Sequence, residues 1–165
     1  MKDIDIDKMR LTLDYDPETG IFKRKIPCSG RKGKIGDVCG VVCSEGYVKI
    51  SFAGVKYYAH RLALAYVNGV MPPDQVDHIN GIRDDNRISN LREATGSQNG
   101  MNKPVQKNNT SGFKGVSWNK DRGKWAASVH INKRKIHLGL FDSLESAANA
   151  AASARISLHG EFSKI

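Results

Sequence analysis

Short stretches with a clear apolar period alternate along this chain with dense polar ones, and the apolar stretches predict the elements. "DIDIDKMRLTLDYDPETGIFKRK" predicts a short helix opened by an Asp cap, then a turn at Asp16-Pro17-Glu18-Thr19-Gly20 that leads into a strand. Residues 47–52 and 55–59 alternate with period two around Ala53-Gly54, which predicts a hairpin. Over residues 60–67 the spacing becomes helical, with Leu62, Ala63, Ala65 and Tyr66 on the apolar face and Asn68-Gly69 as the stop. Pro72-Pro73 breaks the chain before a strand at 75–79, and Asn80-Gly81 is a turn dipeptide. A polar loop runs on to Asn90, residues 91–94 pair as a second strand, and Thr95 caps a short helix that passes Asn99 and ends near Asn102.

"NKPVQKNNTSG", residues 102–112, has linker composition. Beyond it residues 114–118, 124–131 and 135–141 alternate as strands, with turns at Asp121-Arg122-Gly123 and Asn132-Lys133. "SLESAANAAASARISL", residues 143–158, predicts a Ser-capped helix whose alanines suit close approach to a sheet. The fold class is therefore α+β, in small modules: a helix and hairpin region at 1–44, a strand-loop-strand-helix domain at 45–102, a linker at 103–111 and a three-stranded antiparallel sheet packed on one helix at 112–165.

Charge adds direction. The chain carries 26 Lys and Arg against 17 Asp and Glu, a formal net charge of +9, which favours a polyanionic partner. Residues 1–99 hold 15 basic and 13 acidic side chains, residues 100–165 hold 11 and 4, so the C-terminal part carries most of the excess. A second concentration, Lys23, Arg24, Lys25, Arg31, Lys32 and Lys34, has no acid between its members and reads either as a solvated loop or as a contact surface. No apolar run reaches the length of a membrane span, and "MKDIDIDKMR" lacks a signal-peptide core, so the expectation is a cytoplasmic protein with no membrane partner. Cys28, Cys39 and Cys43 form an odd set without a C-x-x-C pair, which fits reduced thiols better than a disulfide framework or a zinc site.

"VDHINGIRDDNRISNLREATGSQN", residues 76–99, carries the chemistry. Phosphodiester hydrolysis needs a water relieved of a proton and a stabilised leaving oxygen. His78 has the proton affinity for general base duty near neutrality, and Asp77 and Asn99 offer oxygen ligands of the kind that Mg²⁺ or Mn²⁺ prefers. Adjacent strand residues point to opposite faces, so Asp77 and His78 share a site only if the strand ends or bends there, for which Asn80-Gly81 provides. Asn90, where the loop re-enters the second strand, can bond loop backbone and hold His78 in place. Asp84 and Asp85 read as alternative ligands or as solvated loop residues, and His60, next to Arg61, as a phosphate contact or as a capping and packing residue.

The run "VDHINGIRDDNRISNL" with "SQN", and upstream "AHRLALAYVNG", resembles the HNH endonucleases, the ββα-metal fold, in the variant with Asn at the third position. The resemblance implies His78 as general base, Asn90 as the loop-fixing residue, and Asp77 and Asn99 as ligands of one Mg²⁺ or Mn²⁺ ion, zinc being disfavoured by the all-oxygen set. It implies a homing-type DNA endonuclease that leaves 5'-phosphate and 3'-hydroxyl ends, phage-encoded and acting in a bacterial cytoplasm, with a non-catalytic DNA-binding regulator as the alternative. Cutting both strands would take a dimer or successive nicks. His60, Arg61, Arg83 and Arg87 join the basic loop as candidate contacts to double-stranded DNA.

Gly115-Val116, Gly123-Lys124-Trp125-Ala126-Ala127, Leu138-Gly139 and Phe141, followed by the Ala-rich helix, resemble the Apetala-type DNA-binding domain of plant ethylene-response factors from Ser111 to about Phe162. In that family the sheet enters the major groove. The matching positions are Lys114, Trp118, Arg122, Lys124, Trp125, Arg134 and Lys135, where Lys, Ser and Asn often replace the family's Arg, so backbone contact rather than base recognition is implied. Trp118 and Trp125 also fit packing roles.

Overall fold

Helix α1 (Ile6–Thr12) begins where the side chain of Asp5 accepts the Lys8 amide at 2.8 Å, the cap that the sequence predicts. The computed structural model describes residues 4–27, 33–103, 105–106, 108–132 and 134–163; Cys28, Arg31, Lys32, Pro104, Lys107 and Lys133 of the sequence reading lie outside them. The chain divides into two units, Met1–Ala94 and Thr95–Ile165.

In the first unit α1 leads into strands β1 (Leu13–Asp16), β2 (Ile21–Arg24) and β3 (Val38–Cys39), an antiparallel sheet in that order. The 16–20 turn closes on Asp16, whose carboxylate accepts the Glu18 amide at 2.9 Å and the Thr19 hydroxyl at 2.7 Å. A second sheet joins β4 (Val41–Val42), β5 (Val48–Phe52) and β6 (Val55–Tyr58). Ala53 and Gly54, at φ 49° and 78°, make the tight turn between β5 and β6 whose twist suits a two-residue hairpin. Helix α2 (Ala59–Asn68) stops at Gly69 in the left-handed region, φ 75°. Strands β7 (Gln75–His78) and β8 (Leu91–Ala94) form a separate antiparallel hairpin, His78 opposite Leu91 and Asp77 opposite Arg92.

One core serves the whole unit. Met9, Leu13, Tyr15 and Phe22 from the first hairpin region pack with Ile50, Leu62, Ala63, Ala65, Val76 and Leu91. Residues before 45 thus share their apolar interior with the β7–β8 hairpin.

The second unit opens with α3 (Gly96–Met101), where Thr95 and Gln98 complete a reciprocal capping box. Strands β9 (Val116–Asn119), β10 (Lys124–Ile131) and β11 (Arg134–Phe141) lie in the order β11-β10-β9, antiparallel throughout, and helix α4 (Leu144–His159) covers β10 from its Ser143 cap. Val116, Ala127, Ala147 and Ala151 form the buried centre, enclosed by Trp125, Leu138, Phe141 and Leu144. The alanines let helix and sheet approach closely, as their composition predicts. The first strand starts at Val116 rather than 114, because Gly115 turns the chain at φ 81° with its backbone so near Ser128 that a Cβ would lie 2.3 Å from the carbonyl oxygen. Among the described residues no helix is long and apolar enough to cross a membrane.

Candidate active site

Strand β7 ends on two buried polar residues, Asp77 at 4% and His78 at 5% exposure. The chain turns at once: the Gly81 amide donates to the His78 carbonyl at 2.9 Å, with Gly81 at φ 77°. Asn90 pins this turn to the loop. Its Oδ1 accepts the Asn80 amide at 3.0 Å, its Nδ2 donates to the Asp85 carbonyl at 2.8 Å, and its own carbonyl accepts the Ile79 amide at 2.9 Å. Three bonds to backbone from one buried amide residue close the loop between β7 and β8.

The two neighbours address different partners. Asp77 faces Arg92 across the hairpin, and its Oδ2 accepts from Nε at 3.0 Å and from Nη2 at 2.8 Å, a charge-assisted pair in a largely buried setting. His78 lies in a ring cluster, 5.0 Å from His60 and 5.9 Å from Tyr47 between centroids, and its Nε2 is 3.3 Å from Asn86 Oδ1. Asn86 donates its Nδ2 to the Asp84 carbonyl at 3.1 Å, which makes Oδ1 the atom presented to His78. A carbonyl oxygen only accepts, so the neutral imidazole carries its hydrogen on Nε2 and its basic lone pair on Nδ1. Burial lowers the proton affinity of His78 below the ordinary histidine value, opposed by the Asn86 bond and by Asp77, Asp85 and Asp84.

Asn86 is the residue that sequence reasoning missed. It is 3% exposed, and its carbonyl accepts the hydroxyl of Tyr15 at 2.7 Å, so β1 supports the loop that supports His78. Burial holds the Tyr15 phenol well above its usual range, which keeps it a donor. The signal was present in "RDDNR", where an Asn among charged residues stood out only as loop polarity.

His60 is buried, stacked on Tyr58 at 5.3 Å and packed on Tyr47, and burial, with help from His78 and Arg61, pushes its proton affinity down to about 3. It is a neutral packing partner of His78. The Arg61 guanidinium is spent on the carbonyls of Pro72, at 2.6 Å, and Asp74. Asp85 is clamped by Arg87 through Nε at 2.8 Å and Nη2 at 2.6 Å and by Asn80 at 2.7 Å, which holds its carboxyl far below the usual range. Arg83 lies over the Tyr47 ring and donates to the Glu45 carbonyl at 2.6 Å. Of the first basic cluster, Lys23 and Lys34 are exposed, Arg24 is half-buried on β2, and Lys25 donates to the Arg10 carbonyl at 3.0 Å.

Asn99 stands on α3, five residues beyond the end of β8 and in the second unit. In that unit Trp125 packs against the helix core, and Trp118, 46% exposed, meets it edge-on at 5.0 Å. Arg122, Arg134 and Lys135 are exposed on turns and strand, Lys124 pairs with Asp142 at 2.9 Å, and Lys114 Nζ donates to the Met101 and Lys103 carbonyls. The tryptophans are thus partners in packing, while the cations on the sheet remain at the surface.

A carboxylate at a strand end suits an oxygen-preferring divalent ion. Among the described residues no group of three or more His, Cys, Asp and Glu side chains gathers as a closed zinc site would require.

Comparison with known proteins places these features. A family model described as HNH endonuclease matches residues 57–101, and one described as AP2 domain matches residues 111–161. Protein 3.8 of Escherichia phage T7 is 36% identical over 98 residues, 59% of this chain and 80% of that protein. Among solved structures, one titled DNA binding and cleavage by the HNH homing endonuclease I-HmuI aligns at 25% identity and a TM-score of 0.41, covering 58% of this chain. The aligned part spans 53%, about half, of that chain. The chain belongs to the same family as the phage T7 protein, and within it an HNH endonuclease domain is followed by an AP2 domain of the DNA-binding type.

Proposed function

We propose that the protein is a metal-dependent DNA endonuclease in which His78 is the general base. The observation that carries this reading is the buried His78, positioned through Nε2 by Asn86 Oδ1, with burial holding its proton affinity below the ordinary histidine value and so favouring the neutral, basic ring. Nδ1 takes a proton from water, the hydroxide oxygen bonds to phosphorus, and the bond from phosphorus to the 3' oxygen breaks. That leaving oxygen takes a proton from a solvent water, and the imidazolium returns its own proton to solvent, so the ends are a 5'-phosphate and a 3'-hydroxyl.

Asp77 and Asn99 are the residues that would hold one Mg²⁺ or Mn²⁺ ion, a choice supported by their oxygen donors and by the HNH match over both positions. When bound, the ion supplies positive charge to the phosphoryl and leaving oxygens. Arg92 fixes the Asp77 carboxylate through Oδ2, and Asn90 keeps the turn after His78 closed. Asn86 acts through His78 and is a positioning residue. Exposed cations of the AP2 domain, Arg122, Arg134 and Lys135, hold the DNA backbone.

Plasmid cleavage with Mg²⁺ tests the reading. The wild-type chain should nick or linearise DNA, excess chelator should stop it, and His78→Ala should lower the rate by about 10²- to 10⁴-fold, the range for loss of a general base. Equal cleavage by His78→Ala, or DNA binding with no cleavage by the wild type, overturns it, and the second result would indicate a DNA-binding regulator.

A further inference from the structure

Beyond Ala127, β10 no longer pairs with β9, and at that edge of the second unit lies a cavity of about 320 Å³. Its walls come from α3, the Lys114-Gly115 turn, Ser128 to His130 and the last turns of α4. Among the described residues no acidic side chain lines it, whereas Lys114, His130, Arg155 and His159 do.

Among the described residues, two of these groups are buried with a nitrogen unanswered. Arg155, 7% exposed, donates Nη1 to the Lys114 carbonyl, but its Nε has no partner. His159, 8% exposed, donates Nε2 to the His130 carbonyl at 2.8 Å, and its Nδ1 has none. Arg155 makes no ion pair among the described residues, and burial lowers its proton affinity with no neighbouring acid to offset the effect. Charged side chains are rarely this buried unless paired, because an unpaired ion loses its hydration without Coulombic return. A guanidinium that borders a cavity in such a state lacks an anion.

We propose that this cavity is a phosphate-binding site, with Arg155 as its principal donor. A guanidinium fork matches phosphate oxygens, and a buried, carboxylate-free setting strengthens each charge-assisted bond. The phosphate comes either from a DNA backbone or from free phosphate, two sources with the same recognised group. The site lies in the AP2 unit and does not depend on whether His78 cleaves.

¹H–¹⁵N NMR of the Arg155 side chain in the full chain distinguishes the outcomes. Titration with inorganic phosphate at constant ionic strength should shift the Arg155 Nε–H signal saturably, and Arg155→Gln should weaken the phosphate-induced amide shifts of Gly115 and Ser128 at least tenfold. A shift with duplex DNA but not with phosphate assigns the site to the backbone phosphodiester. No saturable shift of Arg155 with either ligand overturns the proposal, and because this readout is taken on the wild-type protein, a variant that fails to fold cannot mask it.

Discussion

His78 owes its orientation to Asn86, a side chain whose own geometry is set from both ends, by the Asp84 carbonyl on Nδ2 and by the Tyr15 hydroxyl on its backbone oxygen. Asn86→Ala removes the acceptor without enlarging the charge of the site. Its expected effect is a fall of about 10²-fold in kcat, the lower end for a mispositioned general base, with KM nearly unchanged and the Nε2–H tautomer of His78 lost from ¹⁵N spectra. pH gives a second readout. A base whose proton affinity is lowered by burial stays active as pH falls below the ordinary histidine range, so the acidic limb of the kcat profile should lie under about 6.5. Asn86→Asp puts a negative charge on Nε2–H, favours the imidazolium and should move that limb upward. An unmoved limb and an intact tautomer in both variants would leave Asn86 a merely structural residue. Asp77, His78, Asn90 and Asn99 are legible in the sequence as a candidate set, because residue type and spacing are local features, and the HNH match spans all four positions. Asn86 was not, since a bond between a loop amide and an imidazole eight residues earlier is a product of folding.

Among the elements, the hairpin of β1 and β2 acts as a brace. Its turn packs on the loop between β7 and β8 so closely that a Cβ on Gly20 would lie 2.4 Å from the backbone of Asn86 and Arg87, and the Pro17 carbonyl accepts the Ile88 amide at 3.0 Å. Gly20 also sits at φ 73°, where an L side chain is strained. Gly20→Ala should therefore destabilise the first unit by about 1–3 kcal/mol and lower its Tm, as measured by thermal unfolding. It should also broaden the His78 ring signals, because the loop that holds Asn86 must shift. A Gly20→Ala protein as stable as the wild type would show that the loop yields at no cost. Periodicity and caps marked out α1, α2, the β5–β6 hairpin and α4 in the sequence, since these are local choices of backbone and side chain. The bracing contact joins residues 17–20 to 86–88, and no local pattern reports it.

At the scale of the whole molecule, net charge sets the behaviour toward DNA. Residues 100–165 carry 11 basic and 4 acidic side chains, and several of the cations lie exposed on the AP2 sheet. Binding of the full chain to duplex DNA should weaken linearly in log–log form as salt rises, by roughly 10²-fold between about 50 and 200 mM if four phosphates are neutralised. Arg134→Ala with Lys135→Ala should flatten that slope by about two phosphates' share, measured by fluorescence anisotropy, while a salt-independent affinity would exclude backbone contact as the main attraction. Sequence alone determined the elements, the placement of charge and the motif that carries His78, because each depends on residue type and short-range spacing. Only the tertiary structure decided which atoms meet: Asn86 at His78, Arg92 at Asp77, Tyr15 beneath the loop, and Arg155 buried beside a cavity that His130 and His159 also line. Those pairings depend on packing between segments far apart in the chain, where burial and distance, rather than identity, determine how each ionisable group behaves.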